Sequence, residues 1–81
     1  MDEKLLAFLK EIQEKQKEKD VHVTLFIESS VLIGKCIKVS SDFETVTIVD
    51  FTHNGRHILG GELTIFTNKI DGWSMKLLNK S

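Results

Sequence analysis

The sequence predicts a mainly β domain with an N-terminal helix: a small, strongly bent, five-stranded antiparallel barrel. Three observations carry that expectation. An amphipathic helical pattern opens the chain, a dense run of short strand patterns follows it directly, and a single glycine, Gly34, lies inside the second of those patterns, where it marks a sharp bend or a close backbone approach. Five short strands in about sixty residues cannot bury both faces of a flat sheet, so closure by bending is the economical solution. The 81 residues read as one domain, with the helix over 1–20 and the barrel over 21–79.

The helix begins at Asp2, a residue able to cap it, and Leu5, Leu6, Phe8, Leu9 and Ile12 recur at helical spacing to form one apolar stripe. That stripe is expected to cover one end of the barrel. It stops at Ile12. From Gln13 to Asp20 the chain is almost wholly charged or amide, with Glu11 and Lys15 favourably spaced and Glu14 and Glu18 repulsive, so this half is expected to project into water.

From Val21 the period changes to two. Val21, Val23, Leu25 and Ile27 alternate with His22, Thr24, Phe26 and Glu28 as a half-buried strand, and Ser29-Ser30 makes a turn. The second strand runs from Val31 to Val39 through Gly34, Ser40 to Glu44 forms a loop, and a third strand rich in β-branched residues follows from Thr45 to about Phe51. Asn54-Gly55 is a tight-hairpin dipeptide, so the third and fourth strands are the arms of one long hairpin whose returning arm is broken or bulged by Gly60-Gly61. The fourth strand is Glu62 to Thr67, a tight link covers Asn68 to Gly72, and Trp73, Met75 and Leu77 alternate along a fifth.

Composition narrows the function classes. A chain this short buries only roughly 60% of the surface its unfolded form exposes, so its core is small and self-association is a reasonable expectation. The formal net charge is −1, and the basic and acidic residues are evenly divided along the chain, which argues against a long stretch of duplex DNA but leaves room for a few bases of a single strand. The acidic opening is unlike a signal peptide, no stretch is apolar enough to span a membrane, and the lone Cys36 falls in an apolar strand pattern. A cytoplasmic protein with a buried thiol, no membrane association and no cofactor is expected.

Three pieces together resemble the Sm/LSm family, including its Hfq branch. The order is helix then five strands; Ser29-Ser30-Val31-Leu32-Ile33-Gly34 has that family's turn followed by the glycine of a bent strand; and Leu63-Thr64-Ile65-Phe66-Thr67-Asn68-Lys69-Ile70 looks like its second motif. The chain departs from the pattern at several points. Serine replaces the glycine of the first turn, the family's aspartate falls on Ser40 or, through a bulge, on Asp42, and the Tyr-Lys-His of the Hfq branch falls on Phe66, Thr67 and Asn68. Only Asn68 matches the Arg-Gly-Asn/Asp of other members. The resemblance implies an SH3-like, Sm-like barrel assembled into a homo-oligomeric ring, the fourth strand of one subunit pairing with the fifth of the next, and bases of U-rich or A-rich single-stranded RNA held around a pore.

Under that resemblance the RNA-binding candidates lie on two loops. Asp42 offers a carboxylate acceptor and Phe43 a stacking ring; Phe66, Thr67, Asn68 and Lys69 supply the second loop, with an amide able to read a base edge and a cation for phosphate. Phe43 can equally fill the core, and Asn68 and Lys69 can equally form a plain solvated turn. Phe26 stands on the face opposite Val23 and Leu25, where it either stacks bases or packs against the helix or a neighbour. Arg56 belongs, with His53 and His57, to the only local basic cluster, at the hairpin tip.

Catalytic readings find no purchase. There is no nucleophile elbow, phosphate-binding glycine loop or paired-carboxylate signature, and the spacing of Asp50, His53 and His57 is not a recognised metal-ligand set. The expectation is a non-catalytic RNA-binding ring, an RNA chaperone or riboregulator. Its alternative is a structural or protein-interaction barrel that does not bind nucleic acid.

Overall fold

The computed structural model describes residues 2–80. The chain forms helix α1 (Glu3–Lys15) and strands β1 (Lys19–Ile27), β2 (Ser30–Val39), β3 (Thr45–His53), β4 (Arg56–His57), β5 (Glu62–Phe66) and β6 (Gly72–Asn79), with a 3₁₀ turn at Thr67–Lys69 before β6. All pairings are antiparallel: β6 pairs with β1, β1 with β2, β2 with β3, and β3 with both β4 and β5. The protein is therefore mainly β, an N-terminal helix followed by one six-stranded sheet.

Asp2 caps α1 as expected, its Oδ1 accepting from the Lys4 amide at 2.7 Å. Leu5, Phe8, Leu9 and Ile12 are buried, and Phe8 stacks on Trp73 of β6 with ring centroids 5.5 Å apart. The helix is shorter than the sequence implied. It ends at Lys15 because the Gln16 side chain turns back to donate to the Cys36 carbonyl at 2.8 Å, and Lys19-Asp20 already pair with Asn79 and Leu78 as the start of β1. The charged segment thus divides between a helix end and a strand, rather than projecting as helix.

The bend lies where Gly34 sits, for a reason of space. Ile33 pairs with Thr52 and Lys35 with Val49, so Asp50 and Phe51 together oppose Gly34 in a bulge, and Asp50 adopts φ 49°. A Cβ on Gly34 would stand 2.7 Å from the Phe51 Cβ. A second irregularity places Ile37 as the extra residue between Cys36 and Lys38. At the hairpin tip Asn54 and Gly55 both take positive φ, the geometry of a type I′ turn.

Two expectations are corrected here. The strands number six and not five, because the returning arm, broken at Gly60-Gly61 as expected, turns at Gly60 with φ 68° after the Ile58 amide has donated to the Phe51 carbonyl, and so becomes two strands. The sheet is also not closed into a barrel: β5 and β6 make no ladder with each other. The 3₁₀ turn carries the chain from the β3 side of the sheet to the β1 side, and α1 packs chiefly against β1 and β2. Phe8 meets Trp73 of β6, and Leu5 lines a cleft with Phe66 of β5.

The core lies between α1 and the concave face. Leu9, Ile12, Val21, Val23, Leu25 and Ile48 are almost completely enclosed. Among the described residues the outer edges of β5 and β6 are unpaired.

Candidate nucleic-acid interface

The loop at residues 40–44 is built on two polar side chains. Ser40 Oγ accepts from the amides of Glu44 and Thr45 at 3.1 and 3.0 Å and donates to Asp42 Oδ1 at 2.6 Å, which also accepts from the Glu44 amide at 3.0 Å. The Ser40 hydroxyl, and after it the Glu44 amide, hold the exposed Asp42 carboxyl below its usual range. Phe43 is driven to φ 61°, an unfavourable conformation for an aromatic residue, and packs half-buried against the core. Asp42 and Phe43 thus shape the loop itself.

Thr67 joins this loop to the second. It is 2% exposed, and its hydroxyl donates to the Phe43 carbonyl at 2.8 Å and the Glu44 carbonyl at 3.2 Å while its amide donates to the Glu44 carbonyl at 2.8 Å. Thr67 serves here as a clamp between the loops, and it also lines the cleft beside them. The two following residues, Asn68 and Lys69, are exposed on the 3₁₀ turn, which Ile70 closes by donating to the Thr67 carbonyl.

The clamp leaves a cleft of about 660 Å³ between the loops and the first turn of α1. Phe66, 63% exposed, offers a ring face; Asn68 offers an amide; Leu5 and Ile70 are buried residues in its lining; and Asp2 and Glu44 add two carboxylates. Among these lining residues there is no lysine or arginine. Glu44 and Asp2 were not anticipated. Asp2 gives its only sequence signal as a helix cap, and nothing local says that the capped end will lie beside the 67–69 turn.

The eight sequence candidates fall into two groups. Asp42, Phe43, Phe66, Thr67, Asn68 and Lys69 gather around the clamped loops. The second group is scattered: Arg56 is exposed at the hairpin tip, whereas Phe26 pairs with Val31, whose carbonyl accepts from the Asn54 amide, and also with Gly72, its own carbonyl accepting at 2.7 Å from the amide of Asp71, two residues beyond Lys69. Along β3 the hairpin tip and the clamped loops are separated by up to about 27 Å. Phe26, 43% exposed, packs over Gly72.

A second hollow, of about 450 Å³ and almost wholly apolar, opens near that tip between Ile27, Leu32, Phe51, Ile58 and Leu63. Burial pushes the Cys36 thiol up to about 11, so it is held as the protonated form. No cluster of three metal-ligating side chains occurs among the described residues, and no helix there is long and apolar enough to cross a membrane. Comparison with protein-family models, with curated proteins and with solved structures finds no match to this chain.

Proposed function

We propose that the protein is a non-catalytic, Sm-like RNA-binding module that takes bases of a short single strand into the cleft between its two clamped loops. The observation that carries this reading is the Thr67 clamp, which fixes an exposed aromatic ring, Phe66, beside an exposed amide, Asn68, over an apolar floor. A ring face accepts any base by stacking, and an amide both donates to and accepts from a base edge. The finer fold reading, a barrel completed by neighbours, belongs to the same proposal. The outer edges of β5 and β6 lie at opposite ends of the strand order, so head-to-tail pairing between copies extends the sheet from one subunit to the next and closes when the rotation fits.

Fluorescence anisotropy with oligo-U and oligo-A is the direct test. Phe66→Ala should weaken binding by about 5- to 150-fold, the equivalent of about 1–3 kcal/mol for one stacked base, with little effect on the fold because the ring is exposed. Asn68→Ala should alter the preference between the two oligomers. Equal affinity of wild type and Phe66→Ala removes the cleft from the reading, and a strictly monomeric species in light scattering at micromolar concentration removes the ring.

One observation favours a second reading, a scaffold that binds protein. The cleft lining carries Asp2 and Glu44 and no cation, a setting that suits a basic peptide segment as well as a base. Absence of binding to both oligonucleotides favours it.

A further inference from the structure

The cleft lining holds no cation, and Lys69, exposed on the turn beside it, can meet only one phosphate, so a strand longer than a few bases must find further cations elsewhere. On the convex face Lys76 of β6 pairs directly with His22 of β1, and His22 pairs directly with Lys35 of β2. Direct cross-strand partners share a face, so the three side chains stand in one line across about 10 Å. No carboxylate stands within that line. The row continues on β3 with Val49 and reaches an acid only at Glu62 of β5.

Beside Lys35 the surface dips into a hollow of about 270 Å³ bordered also by Lys19 and Lys80. Lys19 bonds to the neutral Asn79 side chain, and the one acid in the lining, Asp20, is engaged with Lys35 at 3.5 Å. Four lysines therefore border the row and the hollow with one aspartate among them, on a chain whose net charge is −1. Lys76 and Lys35 stand on either side of His22, and a bound anion relieves the repulsion between two cations held about 10 Å apart.

We infer that this row and hollow form a phosphate track, on which the backbone of a single nucleic-acid strand crosses β2, β1 and β6 while its bases enter the cleft. The inference rests on the RNA reading above and assigns the further phosphate contacts to a different surface. Lys35 and Val39, the latter next to the loop at residues 40–44, are about 14 Å apart along β2, so one strand of moderate length reaches both.

The test uses the intact protein and labelled single strands of about 4 and about 16 nucleotides, with affinity measured against salt. The variant is Lys76→Gln/Lys80→Gln. Both residues are exposed, neither lines the cleft, and Asp20 keeps Lys35. The slope of log affinity against log salt for the long strand should flatten by about 1.4 in the variant, about 0.7 for each lost phosphate contact, and should return in Lys76→Arg/Lys80→Arg. Binding of the short strand should be unchanged. An unaltered slope for the long strand overturns the track, as do equal slopes for short and long strands in the wild type, and in both cases the cleft reading stands on Phe66→Ala. Failure of every oligonucleotide to bind ends both.

Discussion

Replacing Thr67 by valine keeps the shape of the side chain and removes only the hydroxyl. In the native protein that hydroxyl lies in a residue 2% exposed and donates to the carbonyls of Phe43 and Glu44. Glu44 keeps a donor, because the Thr67 amide still reaches its carbonyl, whereas no other donor to the Phe43 carbonyl is found among the described residues. A net hydrogen bond is worth about 1 kcal/mol, and leaving one carbonyl partly unsatisfied adds up to about 1 more. The expected loss is therefore about 1.5 kcal/mol, which for a domain of this size lowers Tm by about 6–12 °C. The loss is also local. Phe43 is held at φ 61°, and the loop that strains it should open once the clamp is gone, so amide exchange should accelerate at Phe43, Glu44 and Thr67 and leave β1 and β2 protected. Thermal melts with hydrogen-exchange mass spectrometry or NMR measure both, and Thr67→Ser, which retains the donor, should keep slow exchange in the loop. A Thr67→Val protein with wild-type Tm and unchanged exchange at residues 43–44 would refute the clamp.

The remaining predictions concern the bend, the thiol and the loop carboxylate. Gly34→Ala places a methyl group 2.7 Å from the Phe51 Cβ and should cost about 1–3 kcal/mol in chemical denaturation; combining it with Phe51→Gly, which removes that Cβ, should cost less than the two separately, and strict additivity would count against the contact. Cys36 should resist a thiol reagent in the native protein at neutral pH and react on unfolding. Because its folded pKa, about 11, is raised, its contribution to stability is complete below the ordinary thiol pKa and is lost as pH climbs from there toward 11; Cys36→Ala should flatten that alkaline limb. Asp42 has the opposite sign. Its folded pKa is lowered, so its contribution is present above the ordinary carboxylate value and disappears as pH falls through the folded one, and wild type should lose Tm faster than Asp42→Asn below about pH 4.

Local signals in the sequence were legible wherever one residue type answers one geometric demand. Asp2 caps the helix, alternation from Val21 gives β1, Asn54-Gly55 gives the hairpin tip, and Gly34 gives the bend. What the sequence concealed depends on partners far along the chain. The polar run after Ile12 reads as continuing helix, yet Gln16 is drawn to the Cys36 carbonyl and Lys19 to Asn79, contacts that span 20 and 60 residues. The returning arm reads as one strand broken or bulged by Gly60-Gly61 and is two strands, because after Ile58, whose amide still reaches the Phe51 carbonyl, the chain turns at Gly60. At the site, the residue types suggested ligand contacts for Asp42 and Thr67, while the structure commits both to holding the loops together. Glu44 entered the cleft unannounced, since an exposed glutamate after a turn carries no pattern of its own.

The break between β4 and β5 has a practical use. Residues 54–57 are held by a two-pair ladder to β3 and by Asn54 on Val31, and the space around Gly55, whose φ of 85° must be kept, is open for 4 Å. That turn is accordingly the natural address for an inserted epitope or a fluorescent label, where foreign sequence can hang clear of the clamped loops and report on them without disturbing what they hold.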